Sequence, residues 1–221
     1  MNAQSLSSSY SRGEELANSI THGLGVLLAI TGLVQLVLVA AWNGTARHIV
    51  SSALYGSTLV LLYLASTLYH AVQQPEAKRI LRIFDHSAIL LLIAGTYTPF
   101  TLISLQGPWG WSLFGTIWGL ALLGIILEIT SLRRLRFLLI ALYLTMGWAV
   151  VVAVKPMLTH VPPAGLWLLL AGGLCYTGGL GFYLWKRLPY HHAIWHLFVL
   201  AGSILHYIAI FYDVLPHPPA T

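Results

Sequence analysis

The sequence predicts an all-α integral membrane protein, a bundle of seven transmembrane helices. Three observations lead there. Of the 221 residues, 57% are hydrophobic and 8% charged, against roughly 25% charged in an ordinary soluble domain. The apolar residues gather in blocks of about 20 or more, the length a helix needs to cross roughly 30 Å of hydrocarbon. Runs such as LVLLYL and LLGIIL also lack the alternation that a transmembrane β-barrel writes into segments of about ten residues. Helices satisfy their own amides where no water can.

The blocks in order are Asn18–Trp42, His48–Val72, Ile83–Leu105, Pro108–Ile129, Phe137–Val154, Ala164–Trp185 and His192–Leu215. The first exceeds the ~7–15-residue apolar core of a removable signal peptide, and Glu14 and Glu15 precede it in place of a basic region, so it reads as a retained helix. Residues 1–17, polar and Ser-rich, read as a loose tail, residues 18–215 as the transmembrane domain, and residues 216–221 as a short C-terminal tail. The connections are too short for a second domain. Pro99 in the third block and the pairs Gly172-Gly173 and Gly178-Gly179 in the sixth would break soluble helices. Membrane helices tolerate them, and small residues allow close packing. Cys175, the single cysteine, has no intrachain disulfide partner.

Basic residues set the orientation, because positively charged loops resist translocation. The side holding the N-terminus carries Arg12, Lys78, Arg79, Arg82, Arg133, Arg134, Arg136, Lys186 and Arg187, nine of the eleven; Arg47 and Lys155 lie on the other. The N-terminus is therefore expected in the cytoplasm and the C-terminus outside. A net charge of +5 then faces anionic lipid head groups, and calls for no nucleic acid.

Four histidines stand in the stretch HHAIWHLFVLAGSILHY, from His191 to Tyr207. His192 and His196 are four apart, on one helix face about 6 Å apart along the axis, which suits two imidazoles on one metal ion. Pairs so spaced also serve as aromatic packing or proton relays. Given the topology, His70 at the end of the second helix and Asp85 at the start of the third reach the same depth as that pair. Ionisable groups in membrane helices are costly and face a partner or a cavity. Asp85 could instead pair with Arg82 one turn earlier, and His70 could reach head groups.

The S-x-x-x-H of Ser66 and His70, the F-D-H-S-A-I beginning at Phe84, the H-x-x-x-H of His192 and His196, and the stretch ELANSITHG from Glu15 to Gly23 resemble the progestin and adiponectin receptor family, in its bacterial hemolysin III branch. That resemblance covers essentially the whole chain. It implies a multi-pass protein of the bacterial inner membrane, with Zn2+ held near the cytoplasmic face by His70, His192 and His196. It places Asp85 beside the water on the ion and Ser66 near the site. Relatives in the wider group are thought to be membrane hydrolases, ceramidase-like in this constellation, while the branch is linked by name to cytolysis and by proposal to membrane fluidity.

The residues agree with that implication. Three protein ligands leave a fourth position for water, the arrangement of catalytic zinc, and zinc lowers that water's pKa towards about 7. In soluble H-E-x-x-H proteases a glutamate follows the first histidine; here Ala193 stands there, so a base must come from another helix, and Asp85 is the nearest by topology. A buried site of this kind suits a membrane lipid amide or ester arriving from the bilayer. Two non-enzymatic expectations stand beside it. One is a structural zinc site in a sensor or receptor of lipid order, with lipids as regulators. The other is a channel or cytolysin lined by His22, Glu128 and His206, although the chain has no matching halves of the kind many transporters show. The last block holds no lysine for a retinal Schiff base. His86 and His191 adjoin the proposed ligands, and Tyr69 and Tyr97 could orient a carbonyl or simply pack.

Overall fold

The computed structural model describes residues 10–130 and 136–215. Arg133, Arg134, His217 and the expected tail at 216–221 lie outside the described residues. Among the described residues, seven helices are long and apolar enough to cross a membrane: α1 (Arg12–Asn43), α2 (Ala46–Ala71), α3 (Pro75–Leu105), α4 (Gly107–Ile129), α5 (Phe137–His160), α6 (Pro163–Leu184) and α7 (His191–Val214). The described residues contain no strand.

Several helices run beyond the apolar blocks, because their ends are polar and are fixed by caps. Helix α1 begins at Arg12, six residues before Asn18. Ser11 Oγ accepts from Glu14 N at 3.2 Å while Glu14 Oε2 accepts from Ser11 N at 2.8 Å, a capping box whose S-x-x-E spelling is visible in the sequence. Residues 12–17 are thus helix, not tail. Helix α3 starts at Pro75, where a missing N–H costs nothing, eight residues before Ile83.

Each span shows lipid one face and its neighbours another. On α1 the buried residues Glu15, Asn18, His22, Gly25, Ala29, Gly32, Leu36 and Ala40 recur at three- and four-residue steps, one stripe of a helix. Leu16, Ile20, Leu24 and Leu27 are exposed on the other side. The inward stripe is polar at its start and small further in, where Gly25 lets the Tyr63 ring against the backbone. Exposed Trp42, Trp109, Trp111 and Trp185 sit near helix ends, as expected of interfacial aromatic belts.

Two spans are irregular. After Pro99 the chain of α3 widens into a π-helical stretch, Phe100–Leu105, since proline supplies no N–H and its ring displaces the carbonyl four residues back. Thr101 Oγ1 donates to Tyr97 O and Thr98 O at 3.0 and 3.1 Å, using carbonyls the wider turn leaves. Helix α5 passes through a 3-10 segment, Ala149–Ala153. The Tyr97 hydroxyl is spliced into that break: it donates to Gly147 O at 3.1 Å and accepts from Val150 N at 2.9 Å. Tyr97 therefore has a structural partner in the neighbouring helix.

Helices α6 and α7 pack closely through one glycine of each pair. Gly172 lies under His206 and the Gly202 carbonyl, and Gly179 under Trp195 and Phe198. Gly173 and Gly178 stay outside that seam. This packing sets the face of α7 that carries His192 and His196.

Candidate metal centre

Two helices bring three imidazoles to one place. His70, on the last turn of α2, and His192 and His196, on the first turns of α7, present ligand atoms that all lie within 4.8 Å of one another, and all three residues are buried. Among the described residues, His70 Nε2 and His192 Nδ1 have no hydrogen-bond partner. A buried unpaired polar atom costs about 1–3 kcal/mol, so unpaired nitrogens in a cluster of three close imidazoles fit a cation among them. The donor set, three neutral imidazoles, suits zinc with one position to spare.

Helix α1 supplies no ligand of this group but orients two of them. The carboxylate Glu15 Oε2 is 2.6 Å from His70 Nδ1. His196 Nδ1 is 3.1 Å from the Asn18 carbonyl and 3.2 Å from Thr21 Oγ1. Carboxylate and carbonyl oxygens only accept, so both rings carry hydrogen on Nδ1 and leave Nε2 free. His22 stacks on His196, centroids 3.5 Å apart and planes 10° apart, with its edge to Tyr63. Neither His22 nitrogen has a hydrogen-bond partner among the described residues. Tyr10, just before α1, lies over His70, His191 and His192, with centroids 6.1, 5.6 and 5.0 Å away. Burial there pushes its phenol above the ordinary value, so it stays neutral.

Asp85 and Ser66 line the same cavity as His192 and His196, a space of about 190 Å³ that runs on past Ile89, Leu92 and Val199 to Trp148. Both are buried. Asp85 does not belong to the group whose ligand atoms meet within 4.8 Å. Nor is it ion-paired: among the described residues the ion pairs are His70–Glu15, Lys78–Glu15 and His86–Glu128, so the alternative of an Arg82 pair is absent.

Other expectations are sorted by the same geometry. His86 Nδ1 pairs with Glu128 Oε1 at 3.1 Å, and His206 Nε2 donates to Leu169 O at 3.1 Å, so both are tied to structural partners. His191 is buried against Tyr10 and His192. His160 bonds its own helix at Pro156 O. Lys78, counted with the basic loop residues, is instead buried in α3 beside Glu15.

A seven-helix membrane bundle with a buried three-histidine centre at one end is the class of protein that fold and site define. The profile of the Haemolysin-III related family matches residues 10–207. The chain belongs to that family, which is the progestin and adiponectin receptor family. It is 49% identical over 203 residues to Hemolysin-3 of Bacillus cereus, covering 92% of this chain and 93% of the other. It is 50% identical over 202 residues to the Hemolysin-3 homolog of Bacillus subtilis, covering 91% and 95%. To the human Monocyte to macrophage differentiation factor it is 29% identical over 203 residues, covering 89% and 83%.

Proposed function

We propose that the protein is a zinc-dependent hydrolase of a membrane lipid amide or ester, working near the cytoplasmic face of a bacterial inner membrane. One observation carries the reading. Of the three buried carboxylates, Glu15, Asp85 and Glu128, two are ion-paired, and Asp85 is not. It faces a cavity that also holds His192 and His196. An unpaired buried carboxylate is expensive in a membrane helix and marks a functional group.

His70, His192 and His196 would hold the ion. When bound, zinc supplies a Lewis acid for a carbonyl and activates water as nucleophile. Asp85 stands outside the three ligands, where a carboxylate oxygen can accept the proton of attacking water and return it to the leaving amine or alcohol. Ser66, which lines the same cavity, would orient that carboxylate. The apolar cavity beyond accommodates the substrate's chain, and its role would be in membrane lipid homeostasis.

The test is zinc content of detergent-purified protein together with hydrolysis of a fluorescent short-chain ceramide. About one zinc per chain, lost in His70→Ala and in His192→Ala along with turnover, supports the reading; full metal and activity in His196→Ala would sink it. The name Hemolysin-3 borne by two relatives favours a cytolytic second reading. Erythrocyte lysis undiminished in His192→Ala would support that one instead.

A further inference from the structure

We infer that the buried pair Glu15–Lys78 is a positioning device for His70: it fixes the ring's tautomer and rotation so that Nε2 is offered to the ion. The inference rests on the reading that His70 is a metal ligand. Four observations carry it.

The His70–Glu15 contact, 2.6 Å from Nδ1 to Oε2, is the shortest of the ion pairs among the described residues. On the other oxygen, Lys78 Nζ stands 2.9 Å from Glu15 Oε1. All three residues are buried, His70 at 1%, Glu15 at 3% and Lys78 at 8% exposure. Lys78 Nζ also donates to Tyr69 O at 2.9 Å and Val72 O at 3.4 Å and lies 4.8 Å from the centre of the Tyr69 ring.

The chemistry of each partner matters. Asn18 Nδ2 lies 3.4 Å from the same His70 nitrogen. As an amide donor it would favour a hydrogen-free Nδ1, the opposite tautomer. A carboxylate can only accept, and at 2.6 Å it wins over the longer contact, placing hydrogen on Nδ1 and the lone pair on Nε2. Glutamine could not enforce this, since its amide can donate or accept. Lys78 has two tasks. Its charge compensates a carboxylate that would otherwise be buried beside a neutral ring, and it caps carbonyls at the end of α2, where helical partners run out. It thereby ties the turn bearing His70 to both α1 and α3. Metal-ligating histidines are oriented in this way by a carboxylate on the second nitrogen, and loss of such a partner lowers metal affinity about 10–100-fold. Lys78 is thus part of the metal centre, whereas the charge count alone would leave it among head groups.

The experiment uses full-length protein in detergent, as wild type, Glu15→Gln, Lys78→Met and Lys78→Arg. Zinc affinity is measured by competition with a chromophoric chelator, and the His70 tautomer by 15N shifts of histidine-labelled metal-free protein, assigned with His70→Ala. Wild type should show hydrogen on Nδ1. Glu15→Gln and Lys78→Met should bind zinc about 10–100-fold more weakly, with a mixed tautomer in Glu15→Gln, while Lys78→Arg recovers most of the affinity. A merely structural pair would lower thermal stability and leave the tautomer unmoved, which overturns the inference. So would wild-type zinc affinity in Glu15→Gln. A wild type that binds no zinc refutes the metal reading itself, and is distinguishable because the tautomer is read without metal.

Discussion

Asp85→Asn separates catalysis from metal binding. The replacement keeps the volume and polarity of the side chain, but removes the ability to accept a proton. Because Asp85 lies outside the group whose ligand atoms meet within 4.8 Å, the variant should retain about one zinc per chain at wild-type affinity. A general base contributes about 10²–10⁴ in rate, so turnover of a short-chain ceramide should fall by that factor, about 2.7–5.5 kcal/mol of transition-state stabilisation. KM should change little, since the long apolar part of the cavity is untouched. Zinc is measured by elemental analysis, turnover by chromatography of released fatty acid. Loss of zinc together with activity would make Asp85 a fourth ligand, the closed arrangement of a structural site, and would refute its role as base. Turnover unchanged with zinc retained would refute it as well.

Three further outcomes follow from particular contacts. Stripping zinc from wild type with a chelator should lower its midpoint of thermal unfolding, since free metal at a hundred times Kd stabilises by about 2.7 kcal/mol; His192→Ala should show no such response. Ser203→Ala strands two phenols, because Tyr63 OH donates to Ser203 Oγ at 2.8 Å and Tyr176 OH shares that oxygen at 2.8 Å. With roughly 0.6 kcal/mol per bond typical between membrane helices and about 1–3 for each stranded buried group, the loss should be about 1–6 kcal/mol. It should shrink in a Tyr63→Phe, Tyr176→Phe background, as read by denaturant titration in micelles. Tyr97→Phe should raise amide exchange at Val150 well above that of α5 residues further from the break, with zinc content unchanged.

The seven spans are legible because membrane burial demands runs of apolar residues, and no other fold tolerates so many. Their ends are less so: apolar counting stops where Arg12 to Ala17 turn polar, although Ser11 and Glu14 spell the cap that starts the helix there. Histidine spacing on α7 and the common depth of His70 and Asp85 point to a shared layer, and the structure brings the three imidazoles together. What spacing could not give is Lys78. A lysine next to Arg79 in a short connection reads as an interfacial charge, and only the packing of α3 against α2, itself packed on α1, turns it towards Glu15. His22 is similar: nothing in one dimension says that it lies flat on His196. The E-x-x-N-x-x-T-H run on α1, from Glu15 to His22, held the signal, since steps of three and four put Glu15, Asn18 and His22 on one helix face.

The distribution of charge along the bundle explains why the candidate centre sits at one end. Five of the six acids, Glu14, Glu15, Glu76, Asp85 and Glu128, lie towards the helix ends on the N-terminal side, and Asp213 at the opposite end. A charge at the bilayer centre costs about 2.5–3.5 kcal/mol on insertion scales and less near an end. Ion pairs and a metal centre are therefore least costly in that layer. Further in, the polar residues are neutral, such as Tyr63, Thr98, Tyr176 and Ser203. The cavity crosses both zones: Asp85, His192 and His196 stand in the first, Val199, Gly173 and Trp148 deeper. A ligand that matches it along its length has a polar head and an apolar chain. A hydrophilic peptide would find its partners at one end only and leave its remaining amides unpaired in the other, at about 1–3 kcal/mol each.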